Sequence, residues 1–120
     1  MTVLAIDQGT SGTKAIVVDD AGEVLAIAES TLRPAYLAGG GVEQDPQALL
    51  ESVLDTGRRA VADAGRPVDT VSVANQGETV LAWDRATGAP LSAAIVWQDS
   101  RSDALLSLIH ISEPTRPRLI

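Results

Sequence analysis

The apolar positions change their period several times along the chain, and the changes mark out the elements. Residues 2–7 form a short apolar run that ends in Asp7. Residues 13–19 form a second run, rich in β-branched side chains, and residues 24–30 a third. Between them lie two turns, 8–12 with Gly9 and Gly12, and 20–23 with Gly22. Short runs separated by Gly-containing turns predict three antiparallel strands. Residues 34–41 read as a loop, because Gly39-Gly40-Gly41 has too much backbone freedom for the interior of an element.

At Asp45-Pro46 the period lengthens. Asp suits the N-cap and Pro the first helical position. Apolar or small residues at 49, 50, 53, 54, 57, 60, 61 and 64 follow at spacings of three and four, which predicts one buried helical face. Gly57 lies on that stripe and costs about 1 kcal/mol against Ala, so it points to close packing. Gly65 and Pro67 end the helix. Alternation returns over 68–74, a fourth strand, and Asn75-Gln76-Gly77-Glu78 is a polar turn. A fifth strand is predicted over 79–83, a turn over 84–89, and another extended run over 91–97. Asp99 or Ser100 then caps a helix that begins near Arg101. The order βββ-α-β predicts an α/β domain. Its sheet is mixed, with a hairpin meander at one end and a crossover helix on one face.

Composition removes several function classes. The chain has 120 residues, 16 acidic and 9 basic, for a net charge of −7. That balance argues against a general binder of nucleic acid or of anionic membranes. Hydrophobic residues make up 45% and charged ones 21%, as in a folded domain. There is no Cys and one His, which removes disulfides, thiolate metal sites and a His-based zinc site. No apolar run reaches the length of a membrane span, and no signal-peptide pattern opens the chain, so a cytoplasmic protein is expected. With two Trp, one Tyr and no Phe, the core must be built from Val, Ile, Leu and Ala.

From Ser107 the texture changes. The segment 107–120 holds the sole His, two of the six Pro, and two Arg against one Glu. Pro114 and Pro117 stop a helix from continuing. The string resembles the translated read-through of a sequencing adaptor. It is expected to be either non-native or a poorly ordered terminus.

Three polar stretches are candidates for chemistry. In Asp7-Gln8-Gly9-Thr10-Ser11-Gly12-Thr13-Lys14, two glycines let backbone N–H groups approach an anion. Thr10, Ser11 and Thr13 bring hydroxyls, Lys14 a positive charge, and Asp7 a carboxylate able to hold Mg²⁺ through water. The same residues also read as an ordinary tight turn. Asn75-Gln76-Gly77-Glu78 follows a strand, where amide and carboxylate groups can grip hydroxyls, or where Glu78 is simply solvated. Trp97-Gln98-Asp99-Ser100-Arg101 offers an indole that can pack on a sugar face beside polar neighbours, or a core Trp followed by a helix cap.

Taken in order, these stretches resemble a known family. Asp7-Gln8-Gly9-Thr10 is similar to the first phosphate loop of the FGGY family of carbohydrate kinases. Gly41-Val42-Glu43-Gln44-Asp45-Pro46 is similar to that family's segment before the helix. Asn75-Gln76-Gly77-Glu78-Thr79, then Trp83-Asp84 and Thr87-Gly88, resemble its glycerol-kinase branch, and Ala94-Ile95-Val96-Trp97-Gln98-Asp99 with Arg101 completes the set.

The resemblance implies a ribonuclease H-like, actin-like ATPase N-terminal domain over residues 1–106, truncated before the rest of such a kinase. It implies ATP and Mg²⁺ as cofactors, a small polyol or sugar as substrate, and a homo-oligomer at full length. Asp7 would hold Mg²⁺, and Gly9, Thr10, Ser11 and Lys14 would face the nucleotide phosphates. Gln76, Glu78, Trp97, Gln98 and Asp99 would line the sugar pocket. The branch places Arg where this chain has Gly77, which leaves room for a substrate bulkier than glycerol. The family's catalytic base and adenine site are expected downstream, so these residues alone are expected to be inactive. The alternative is a non-catalytic phosphate- or nucleotide-binding module of actin-like fold.

Overall fold

The computed structural model describes residues 1–112. Strands β1 (Val3–Gln8), β2 (Gly12–Val18) and β3 (Val24–Thr31) come first, joined by the two predicted turns. Two short strands follow, β4 (Ala35–Tyr36) and β5 (Val42–Gln44), then α1 (Pro46–Ala64), β6 (Thr70–Asn75), β7 (Ala94–Ile95) and α2 (Asp103–Ser112). The main sheet has the order β3-β2-β1-β6. β1 is antiparallel to β2 and β2 to β3, whereas β1 and β6 run parallel, so the sheet is mixed as predicted.

Helix α1 supplies the crossover between β3 and β6. Asp45 accepts a hydrogen bond from the Gln47 amide at 2.9 Å, Pro46 opens the helix, and Gly65 closes it in the left-handed region at φ 67°. The buried face is rotated from the predicted stripe. Gly57 and Ala60 are buried, but Leu50 is 51% exposed and Leu54 42%, while Ser52 and Thr56 are buried instead. Their hydroxyls make this possible. Ser52 Oγ bonds to Thr13 Oγ1 on β2 and to the Leu49 carbonyl, each at 2.7 Å, and Thr56 Oγ1 donates to the Ser52 carbonyl. Small side chains bring the helix close to the sheet, and a template that counts only apolar residues passes over them. The core is Leu4, Ile6, Ala15, Val17, Ala26, Ala28 and Ala60, the residue types that composition required.

The second half of the chain departs further from its predicted strands. Residues 34–41, read as loop, contain β4 and a single 3-10 turn at Ala38–Gly40 in which Gly39 and Gly40 have positive φ. β4, β5 and β7 form a small second sheet. The predicted strand over 79–83 is reduced to isolated bridges, Val80 with Ile95 and Trp83 with Pro90, and the run over 91–97 narrows to β7. A tight turn separates the two arms. Asp84 Oδ1 accepts from the Ala86 and Thr87 amides, Gly88 takes φ 74°, and Pro90 has no N–H for a ladder. α2 starts two residues after Arg101 and is described to Ser112; residues 113–120 of the predicted tail, with both its prolines, lie outside the described residues.

Candidate active site

The parallel pairing of β1 and β6 sets Gln8 opposite Asn75, so the turns that follow both strands leave the sheet at the same end. Ligands of α/β sheets gather at such carboxyl ends. All three polar stretches singled out in the sequence meet there.

The β1–β2 turn is closed by a 2.8 Å bond from the Gly9 amide to the Gly12 carbonyl. A Cβ on Gly12 would stand 2.7 Å from the Ser30 carbonyl oxygen, so the neighbouring strand β3 requires glycine there. Beside the turn lies an open cleft of about 340 Å³ whose lining includes Asp7, Gly9, Ser11, Lys14 and Glu29. Asp7 is exposed and sits opposite Lys14 in the β1–β2 register. Lys14 Nζ pairs with Glu29 Oε1 at 3.1 Å. Glu29 was not a sequence candidate, although the β2–β3 hairpin register places it directly opposite Lys14. Thr13 borders the same cleft, but its hydroxyl turns the other way. It is 2% exposed and bonded to Ser52, so its hydroxyl belongs to the core.

A second cleft, about 330 Å³, is lined by Gln76, Gly77, Glu78 and Trp97. Trp97 is 53% exposed, which removes the reading of a core Trp. Glu78 takes a positive φ of 56° in the turn after β6, and a Cβ on Gly77 would meet nothing within 4 Å.

The two clefts are joined by side chains. Thr10 Oγ1 donates to Gln76 Oε1 at 2.8 Å, Gln76 Nε2 donates to Gln44 Oε1 at 2.7 Å, and Gln44 Nε2 donates to the Thr10 carbonyl at 2.7 Å. Trp97 Nε1 donates to Thr10 Oγ1 at 2.9 Å. The Thr10 hydroxyl proton is therefore committed to Gln76 and is not offered to an anion in this arrangement. Gln44 is 5% exposed and was not singled out in the sequence as a site residue. Its signal was an amide at a buried alternate position of β5, which demands polar partners.

Gln98 and Asp99 are not part of the Trp97 cleft lining. Gln98 Oε1 accepts from the Tyr36 hydroxyl at 3.4 Å. Asp99 turns toward β5. Its Oδ2 accepts from the Val42 amide at 2.7 Å and from Arg101 Nε at 2.9 Å, and Oδ1 accepts from the Arg101 amide. Arg101 also reaches Glu43 at 2.9 Å. The Arg101 side chain first, and the Val42 N–H next, hold the Asp99 carboxyl at about 2, below the usual carboxylate range. The Arg101 pKa is raised in turn, by Asp99 first and Glu43 second. This clamp fixes the loop that carries Trp97.

A family model described as the N-terminal domain of the FGGY family of carbohydrate kinases matches residues 2–116. The chain belongs to the FGGY family of carbohydrate kinases. Among the curated relatives of this FGGY chain, a glycerol kinase of Rhodospirillum centenum is 48% identical over 105 residues, 85% of this chain and 21% of that protein. A glycerol kinase of Leptothrix cholodnii is 44% identical over 111 residues, 90% of this chain and 22% of that protein. The chain thus spans about one-fifth of the length of these relatives. The solved structure of Plasmodium falciparum glycerol kinase with ADP superposes with a TM-score of 0.86 at 29% identity, covering 94% of this chain and 23% of that one. A xylulose kinase from Rhodospirillum rubrum gives a TM-score of 0.79 at 24% identity, over 94% of this chain and 24% of that one, a likeness of fold. The FGGY domain has the actin-like ATPase fold.

The residues present fit the nucleotide and Mg²⁺ that this family implies. Asp7 is an exposed carboxylate at a cleft floored by glycine backbone, with Ser11 and Lys14 beside it. Mg²⁺ commonly takes one or two protein carboxylates and completes its shell with phosphate oxygens and water, so a single Asp is a sufficient anchor.

Proposed function

We propose that the whole protein transfers a phosphoryl group from ATP to a hydroxyl of a small polyol or sugar, and that this domain supplies the meeting point of the two substrates. The observation that carries the reading is the pair of clefts at one end of the sheet, held together through Thr10. Family membership adds the reaction class.

In this reading Asp7 holds Mg²⁺, and Gly9, Ser11 and Lys14 border the nucleotide phosphates, while Thr10, expected from the sequence to face them, instead ties the turn to Gln76. The metal, when bound, neutralises charge on the transferred phosphate. The chain's own residues position and shield, which is most of what phosphoryl transfer asks of a protein. Glu78 and Gln76 take substrate hydroxyls, and the exposed Trp97 indole offers a flat apolar wall to the carbon-bound face of the substrate. Gln98 and Asp99 act through the loop they hold. Gly77 leaves open space at the rim, which supports a polyol or sugar larger than glycerol as the substrate. The base that accepts the hydroxyl proton is assigned to the remainder of the protein.

The test is ADP release by the intact protein, given Mg²⁺, ATP and a panel of polyols and sugars. Release above background with at least one member of the panel is expected. Background release with every member would overturn the reading.

A further inference from the structure

The segment before α1 is a stretch that the reading above leaves without a task. Its residues alternate. Val42 is buried, Glu43 reaches Arg101, Gln44 is buried again, and Asp45 caps the helix. Gln44 lies on the small second sheet, paired to Ala94 of β7, yet its side chain points out of that sheet toward the two site turns.

Both ends of the Gln44 amide are used, and this fixes its orientation. The N–H end holds the Thr10 carbonyl and the oxygen end holds Gln76, each at 2.7 Å. Gln76 is oriented in turn, because its other end accepts from the Thr10 hydroxyl. With its proton directed at Gln76, Thr10 Oγ1 presents a lone pair to the Trp97 indole. The three bonds form a closed ring in which every donor has one acceptor. Reversing any one amide would set donor against donor or acceptor against acceptor. The ring therefore selects a single arrangement of the β1–β2 turn, the turn after β6 and the Trp97 loop.

We infer that Gln44 is a positioning residue that sets the phosphate cleft and the hydroxyl-substrate cleft in register, acting through Thr10, Gln76 and Trp97. It lines neither cleft itself. The inference rests on the kinase reading for its consequence in catalysis, but not for its structural content.

The experiment uses the intact protein and two substitutions. Gln44→Met removes both polar ends of the amide at nearly constant volume, and Gln44→Ser leaves a polar group too short to reach either partner. Hydrogen exchange of the Trp97 indole N–H, assigned with Trp97→Phe, reports on the ring without reference to activity. Exchange is expected to quicken about tenfold in both variants, in line with the loss of a partly buried hydrogen-bond network. The KM for ATP and the KM for the hydroxyl substrate are expected to rise together, each about tenfold, alongside a lower melting temperature from the partners left unpaired. A packing role alone would lower the melting temperature and leave the indole protected. Unchanged exchange in the variants, or a KM that rises for one substrate only, overturns the inference. If Gln44→Met does not fold, Gln44→Ser decides on the same terms. If the wild type releases no ADP, the kinase reading fails, and indole exchange alone then decides the positioning role.

Discussion

Gly12 and Asp7 show how one turn answers to two demands. Gly12 is required by packing, since any side chain there would run into the Ser30 backbone of β3. Gly12→Ala is expected to cost about 1–3 kcal/mol, as overpacking against backbone does. Chemical denaturation checks this, and an unchanged midpoint contradicts it. Asp7 lies at the cleft, and in the proposed function it answers to chemistry by holding Mg²⁺. The sequence showed both residues because a polar Gly-rich turn between two apolar runs is conspicuous. It did not show Gln44 or Glu29, whose partners depend on strand register and on the approach of a second sheet. Thr13 looked equivalent to Thr10 and Ser11 in the string. The pleat of β2 turns the Thr13 hydroxyl to Ser52 and leaves the Lys14 side chain at the cleft, while the Thr10 hydroxyl is tied to Gln76.

Among the elements, those with strong local rules were readable. α1 begins and ends where its Asp-Pro and Gly signals stand, and the three-stranded meander follows its turns. The small second sheet was not readable, because β4, β5 and β7 are too short to show a period and pair across long separations. Gly57 of α1 tests the packing of this helix. A Cβ there would meet Ile6 and Leu4 at 3.5 and 3.6 Å, ordinary contact distances, so the close packing expected from the sequence does not exclude a methyl group. Gly57→Ala is therefore expected to stabilise the domain by about 0.5–1 kcal/mol through helix propensity. A lowered melting temperature contradicts that.

The clamp between β5 and the Trp97 loop has its own pH signature. A carboxyl whose folded pKa lies below its unfolded value stabilises the fold fully above the unfolded value, and loses that contribution as pH falls through the folded one. For Asp99 the window runs from the ordinary 3.8 down to about 2. Asp99→Asn is expected to flatten the fall of melting temperature across this window. An identical slope in the two proteins argues against the clamp.

At the scale of the whole molecule, one face of the described domain is incompletely covered. β6 is exposed along its length, Val71 is 58% and Val73 60% exposed, and both border an apolar groove of about 570 Å³ between the sheet and the flank of α1. An open strand edge beside apolar surface favours self-association. The 120-residue chain on its own is expected to sediment above its monomer mass. A monomeric profile with a sharp cooperative melt contradicts this. Among the described residues no helix is long and apolar enough to cross a membrane. The same sheet that leaves β6 open also brings the ends of β1 and β6 together, and the site follows from that single parallel pairing.

Asp7 is the residue on which the account of the site depends most. The decisive measurement is the rate of ADP release by the intact protein and by its Asp7→Asn variant, at saturating ATP and with the best hydroxyl substrate of the panel. The account predicts that kcat falls about 100-fold or more, with the KM for the hydroxyl substrate little changed, because Asp7 stands at the phosphate cleft and not at the Trp97 cleft. Equal rates in the two proteins would remove Asp7 from phosphoryl transfer and with it the assignment of the β1–β2 turn as the phosphate site.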